Sequence, residues 1–457
     1  MSTANDMVGW VIAWAAAAVL ISVVRTARQA GGVGLVTAFL VNFGMAYWIG
    51  AAIALLPWYD PPNVQEIFDG FRQSTFAIVS FAVGVLLLAP RRASTPEVRD
   101  AGDARLPRVY LVLGLVCFIV LVPVANRIPS GSALVSQGWN LAVAGLALGC
   151  WCAWSRARSV AFGWWLTATL CLPLLTILTQ GFLGYGTTAA IAVLCLVASF
   201  YRPRWRVFAA ALVLMYVGLS LYVTYMRDRN GIREIVWGGA PIAVRVNTLY
   251  QTISTLEWFN IYNPDHLARI TERLDQNAQV GAAVEYLEQG LAQLAYGKTL
   301  IDGLVSLVPR AIWPSKPIVV GGAALVTQYT GIQFDPTTTV GVGNIMESYI
   351  SFGTIGVVVW FVLLGAVLAR VDAAAAAHLR RGEWPKFVQW YLPGLSLLAV
   401  NGSIVELTSS VGAAIVVTLA VNSLIARSRA QSSRSQRVVV RPTARQPGPV
   451  VVNGRLR

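Results

Sequence analysis

The chain has 457 residues, 56% of them hydrophobic and only 12% charged, with a mean hydropathy of +0.61 and a formal net charge of +14. That composition excludes an ordinary soluble domain and leaves a polytopic membrane protein. The positive excess does not call for a nucleic acid, because it falls on short loops and a tail, where anionic lipid headgroups meet it.

Apolar runs long enough to cross a bilayer core of roughly 30 Å as helices lie near 8–24, 34–58, 75–89, 108–125, 139–154, 159–179, 184–200, 206–226, 354–369, 388–402 and 408–426. They predict an all-α protein with about eleven transmembrane helices and one large extracytoplasmic loop. Met1 to Asp6 carries no positive residue, so the first run reads as a retained helix and not as a cleaved leader. With the N-terminus outside, twenty-four of the 35 Lys and Arg lie on the cytoplasmic side, which sets the orientation. The predicted units are transmembrane helices one to eight over 1–226, the loop over 227–353, helices nine to eleven over 354–426 and a disordered basic tail over 427–457.

Within the first unit the connections are short, so neighbouring helices run antiparallel. Three glycines between Thr179 and Gly186 permit close backbone approach, to another helix or to a ligand. The five cysteines (Cys117, Cys150, Cys152, Cys171, Cys195) all fall inside apolar runs and read as small packing residues. Only two histidines are present, His266 and His378, on predicted opposite sides of the membrane, which excludes a histidine-rich metal site. His266, alone in a polar loop, reads as a surface residue. Arg227, Asp228 and Arg229 read as the solvated end of helix eight.

In the long loop, Val246, Leu249, Ile253, Leu256 and Phe259 recur at helical spacing, and so do Val284, Leu287, Leu291 and Leu294. Both stripes predict amphipathic helices on the membrane surface or over the bundle mouth. Next comes Pro309-Arg310-Ala311-Ile312-Trp313-Pro314-Ser315-Lys316-Pro317, whose prolines predict a stiff, extended corner holding two cations. An arginine fork suits phosphate bidentately and a lysine acts as a point charge, so the pair suits a diphosphate. Gly321 to Thr339 reads as a loop. Glu347 then enters span nine at the membrane boundary, and Glu406 lies between the last two spans.

The corner, followed by Glu347-Ser348-Tyr349 and Phe352-Gly353 entering a span, resembles the Wzy-type O-antigen polymerases, or oligosaccharide repeat-unit polymerases. The likeness covers the layout of 1–426 and is motif-level over about 290–356. Arg310 and Gly321 also satisfy an Arg-x10-Gly spacing described for such loops. The resemblance implies a GT-C-like, metal-independent, inverting glycosyltransferase of the cytoplasmic (inner) membrane, with no cofactor and an active site on the outer face. Its implied partners are polyprenyl-diphosphate-linked oligosaccharide donor and acceptor, membrane lipids, and flippase and chain-length regulator proteins.

Roles follow from the chemistry. Charge develops on the departing diphosphate, which pre-aimed cations stabilise, so Arg310 and Lys316 are the catalytic candidates with Arg245 as further help. The attacking hydroxyl wants a base, and Glu347 is the carboxylate the motif offers; an ion pair with Arg310 is its other reading. Trp313 is a sugar platform or an interfacial anchor, and Tyr349 and Gly321 complete the substrate-binding candidates. The competing functions are an O-antigen-ligase-like transfer to another acceptor and transport of lipid-linked glycans.

Overall fold

The computed structural model describes residues 2–28, 31–88, 102–121, 131–201, 205–308, 312–317, 320–334 and 340–439. Its first half is a bundle of α1 (Ser2–Ala27), α2 (Leu35–Ala54), α3 (Val64–Leu87), α4 (Leu106–Val116, continued as a π-turn over Cys117–Leu121), α5 (Gly131–Ser155), α6 (Ser159–Gln180), α7 (Gly184–Phe200) and α8 (Trp205–Trp237). The loop then contributes α9 (Ile242–Ser254), α10 (Pro264–Leu274), α11 (Asn277–Glu288), α12 (Lys298–Ser306) and α13 (Gly322–Thr330). The chain closes with α14 (Asn344–Arg380), α15 (Trp384–Ser396) and α16 (Ile404–Val439). No strand occurs among the described residues.

Seven of these, α1, α2, α3, α6, α8, α14 and α16, are long and apolar enough to cross a membrane. The chain is a multi-pass membrane protein. The other four expected spans are helical over 108–121, 139–154, 184–200 and 388–396, residues 122–125 lying outside the described ones and 397–402 forming a turn. The last of them is α15, whose thirteen residues rise roughly 20 Å.

An aromatic core ties the N-terminal helices to α14. Phe39 of α2 stacks on Phe81 of α3 at 4.4 Å between centroids, and Phe43 meets Phe361 of α14 at 5.5 Å. Helices α3 and α14 approach closely because each presents a glycine at the crossing: a Cβ on Gly84 would collide with Val362 O, and one on Gly365 would lie 2.5 Å from Phe81 O. Small residues that admit a neighbouring backbone drive helix association where no water remains to be expelled. Near the far end of α14, fully buried Asp372 pairs with Arg25 and accepts the amides of Val33 and Leu35 at 2.9 and 3.0 Å. Every charge-bearing group in that knot thus has a partner, as burial demands.

Several expectations for the loop change. Helix α8 runs to Trp237, so the 226/227 boundary falls inside a helix, and Arg227 belongs to an ion-pair network, not to a frayed end: it binds Glu257 at 2.7 Å, and Arg269 binds the same carboxylate at 2.7 Å. His266 is buried, not a surface residue; its Nδ1 accepts the Asn260 amide at 3.1 Å. Helix α9 stops at Ser254, leaving Leu256 and Phe259 outside it. Of the two placements expected for the second stripe, α11 does not take the membrane surface, and it ends at Glu288, leaving Leu291 and Leu294 outside it. Val280, Ala283 and Val284 are at most 1% exposed, and the Gly70/Gly281 pair brings α11 against the first turns of α3. The expected loop after Gly321 contains α13, and the expected disordered tail is helical as far as Val439. Of the three hairpin glycines Gly186 serves packing, since a Cβ there would collide with Leu172 O, whereas nothing lies within 4 Å of one on Gly184.

Candidate functional site

Four helices open toward one place. Helix α12 starts at Lys298 after Tyr296 (φ 45°) and Gly297 (φ 80°), and α13 starts at Gly322. Helix α14 starts at Asn344 behind Gly343 (φ 78°), and α16 at Ile404 behind Ser403. The start of α16 is set by its sequence. Ser403-Ile404-Val405-Glu406 is a capping box in which the Glu406 amide donates to Ser403 Oγ at 3.1 Å and the Ser403 amide to Glu406 Oε2 at 3.2 Å.

The start of α14 docks on the turn before α16. The amides of Gly343 and Asn344 donate to Asn401 O at 3.1 Å and Val400 O at 3.3 Å, and Asn344 Nδ2 adds Ala399 O at 3.1 Å. Glu347, 0% exposed, therefore faces the first turn of α16, where its Oε2 accepts the Ile404 amide at 2.6 Å. Its Oε1 has no hydrogen-bond partner. An unpaired buried acceptor of this kind costs free energy.

One turn later α14 breaks. Phe352 (φ −146°, ψ 23°) and Gly353 (φ 64°, ψ −154°) leave helical geometry, and the Gly353 conformation is one that side-chain-bearing residues essentially never adopt. The break frees carbonyls at the end of the half-helix, and the turn leading into α12 meets one of them. Ala295 N donates to Ile350 O at 2.8 Å, and Thr299 Oγ1 bonds Ser351 Oγ at 3.1 Å.

Between these first turns lies a cavity of about 50 Å³. Its polar wall comprises Lys298 and Asp302 of α12, Gln328 and Tyr329 of α13, Glu347 of α14 and Ser403. The helix starts around it are largely satisfied within the protein, with the Lys298 amide on Ala295 O, those of Gly343 and Asn344 on Asn401 O and Val400 O, and that of Ile404 on Glu347, and the wall carries two carboxylates, Asp302 and Glu347, beside one lysine.

The expected site residues divide. Glu347 lines the cavity, and Gly321 is the extended, exposed residue before α13 beside it. Arg310 lies outside the described residues. Lys316 donates to Ser306 O at 3.2 Å and Val308 O at 3.0 Å, at the opposite end of α12, where a cation complements the helix dipole. Trp313, 39% exposed, donates to Ser315 Oγ at 3.1 Å, and the Lys316 amide reaches Trp313 O at 3.1 Å, so residues 313–316 of the corner close as a turn and are not extended. Arg245 is elsewhere, on Ala240 O at 2.8 Å and Leu178 O at 3.3 Å beside a separate cavity of about 10 Å³. Tyr349 is buried in the core and does not line the cavity.

Lys298, Asp302, Gln328, Tyr329 and Ser403 are among the wall residues that sequence reasoning passed over. Only the capping box around Ser403 carried a readable signal; the others gather through tertiary packing.

A family model described as a domain of unknown function (DUF8712) matches residues 52–379, and the chain belongs to that family. No curated protein and no solved structure matches it.

Proposed function

We propose that this DUF8712 member is a membrane glycosyltransferase that polymerises polyprenyl-diphosphate-linked oligosaccharide repeat units on the outer face of the cytoplasmic membrane. The observation that carries the reading is Glu347: a fully buried carboxylate with one unpaired oxygen, on a cavity walled by the loop helices. A lipid-linked sugar brings a hydroxyl, and a hydroxyl is the group that Oε1 lacks.

In this mechanism Glu347 takes the proton of the acceptor hydroxyl as its oxygen attacks the anomeric carbon of the donor. The bond from that carbon to the diphosphate oxygen breaks, and the lipid diphosphate leaves with the electron pair. Cations and oriented amides stabilise the charge that forms there. Arg310 keeps the diphosphate role expected of its guanidinium fork, while Lys316 holds the end of α12 and positions the corner. Eleven spans, an N-out orientation, a GT-C-like arrangement and partnership with a flippase and a chain-length regulator belong to the same proposal.

The test is purified full-length protein in liposomes with lipid-diphosphate-linked oligosaccharide as the sole substrate. A product ladder rising in whole repeat units is expected. Transfer only to an added foreign acceptor would make the protein a ligase, and absence of any transfer would overturn the reading.

A further inference from the structure

Away from the cavity, the stretch that joins α9 to α10 doubles back along α8. The apolar run of α8 ends at Met226, and Arg227 after it donates to Thr255 O at 3.1 Å and pairs with Glu257 at 2.7 Å. From there the chain descends beside the helix. The Glu257 amide donates to Thr224 Oγ1 at 3.0 Å, the Phe259 amide to Ser220 Oγ at 3.0 Å, and Tyr216 Oη to Phe259 O at 3.3 Å. Both α8 hydroxyls donate their own protons within the helix, to Tyr216 O and Ser220 O, so a lone pair of each is turned toward the descending chain. Ser220 and Tyr216 lie about 9 and 15 Å below Met226 along the helix axis, inside a run that crosses the bilayer. Trp258 stacks on Tyr216 at 5.8 Å between centroids. The chain then climbs again, for Trp58 Nε1, just past the end of α2, donates to Ile261 O at 2.9 Å, and the Tyr262 ring meets the Trp58 ring at 4.9 Å.

We infer that Trp258–Tyr262 is a re-entrant segment lodged in the leaflet on the loop's side of the membrane, with Trp258, Ile261 and Tyr262 laid against lipid acyl chains. All three side chains are exposed, Trp258 to 56%, and their surface continues that of Leu212, Val213 and Met215, the exposed apolar residues of α8 at mid-span. Irregular backbone persists at that depth only where protein satisfies its polar groups. Here the α8 hydroxyls do so, together with His266 Nδ1 on the Asn260 amide at 3.1 Å and Asn260 Oδ1 on the Tyr262 amide at 3.0 Å. The charges stop where the descent begins: Glu257 is matched by Arg227 and Arg269 at 2.7 Å each, and aromatic and aliphatic residues follow it. Tryptophan and tyrosine suit that band, since each joins an apolar ring to one polar atom. Neither the glycosyl-transfer reading nor the orientation of the chain enters into this. The long connection between α8 and α14 is thus not wholly an aqueous domain; part of it belongs to the membrane.

Fluorescence quenching tests the placement. Full-length protein is reconstituted in phosphatidylcholine and, separately, in phosphatidylcholine brominated midway along its acyl chains. The emission due to Trp258 is the difference between wild type and Trp258→Phe, a change that keeps a ring on Tyr216. That difference is expected to be lost in the brominated lipid and to be unaffected by iodide in the buffer. Quenching by iodide and not by bromine would place the segment in water, and quenching by neither would place it under protein, a partner or a second copy; either result overturns the proposal. The double variant Ser220→Ala, Thr224→Ala gives a second reading that does not depend on Trp258→Phe inserting correctly. Inside a leaflet it removes two acceptors that no water replaces, so the melting temperature is expected to fall and iodide to gain access to tryptophan. In an aqueous loop water takes over both bonds, and a double variant that melts and quenches like wild type would likewise overturn the placement.

Discussion

Glu347 Oε2 accepts the amide of Ile404 at 2.6 Å, across a sequence separation of 57 residues. The carboxylate is thereby fixed at the first turn of α16, and its second oxygen has no hydrogen-bond partner. Glu347→Gln keeps an oxygen for the Ile404 amide but cannot take a proton. Turnover in the liposome assay is expected to fall about 10²-fold or more, with the melting temperature near wild type; a large loss of stability instead would mean that Glu347 is only a cap for α16.

Gly353 has open space where a side chain would go, since nothing lies within 4 Å of its ideal Cβ. Its backbone angles alone forbid one. Gly353→Ala is expected to cost about 1–3 kcal/mol, read as a lower melting temperature in detergent. An unchanged melting temperature would show that the helix straightens at no cost.

Arg310→Lys retains charge and loses the planar fork. If the guanidinium grips a diphosphate bidentately, Lys is expected to impair turnover nearly as much as Ala, with expression and insertion unchanged in both. Activity close to wild type in Arg310→Lys would assign the residue to headgroup anchoring.

Two loop carboxylates respond to pH with opposite signs. Burial lifts Asp275 from its ordinary value of 3.8 to about 6, against the amide and Nδ2 of Asn277 at 2.9 and 2.7 Å. Its contribution to stability is complete below about pH 4 and is lost as pH rises through about 6. Asp275→Asn is therefore expected to raise the melting temperature relative to wild type near pH 8 and not near pH 4. Hydrogen bonds from Arg227 and then Arg269 hold Glu257 below its ordinary value of 4.5, so its contribution is present above that value and is lost as pH falls through the lowered one. Glu257→Gln is expected to abolish acid-induced loosening of residues 257–273, followed by amide hydrogen exchange.

Orientation is checked by cysteine labelling at Ser315 and Ser432. The first is expected to react from outside the cell and the second only from inside; labelling of both from one side would dismiss the assignment of the loop to the outer face.

Most of the helical scaffold was legible because apolar runs in a chain of this composition have few alternatives to helix. Length was harder: α8 continues eleven residues past the apolar run because Arg227 and Arg229 find carboxylate partners in Glu257 and Glu272, which no local pattern announces. Glu347 was legible through its motif. Lys298, Asp302 and Gln328 were not, since they come to one wall only through the packing of α12, α13 and α14. The break at Phe352 and Gly353 was hidden for a related reason, as one glycine among 40 does not declare its φ.

The bond between Glu347 and Ile404 also constrains biosynthesis. A ribosome that has released α14 has not yet delivered the amide its carboxylate needs, because α15 and the start of α16 are still in the exit tunnel or the translocon. Until they arrive, Glu347 is a bare acid at the edge of a nascent helix. The bond forms only once Ile404 has emerged, so a chain stopped before α16 keeps α14 but leaves Glu347 without that partner.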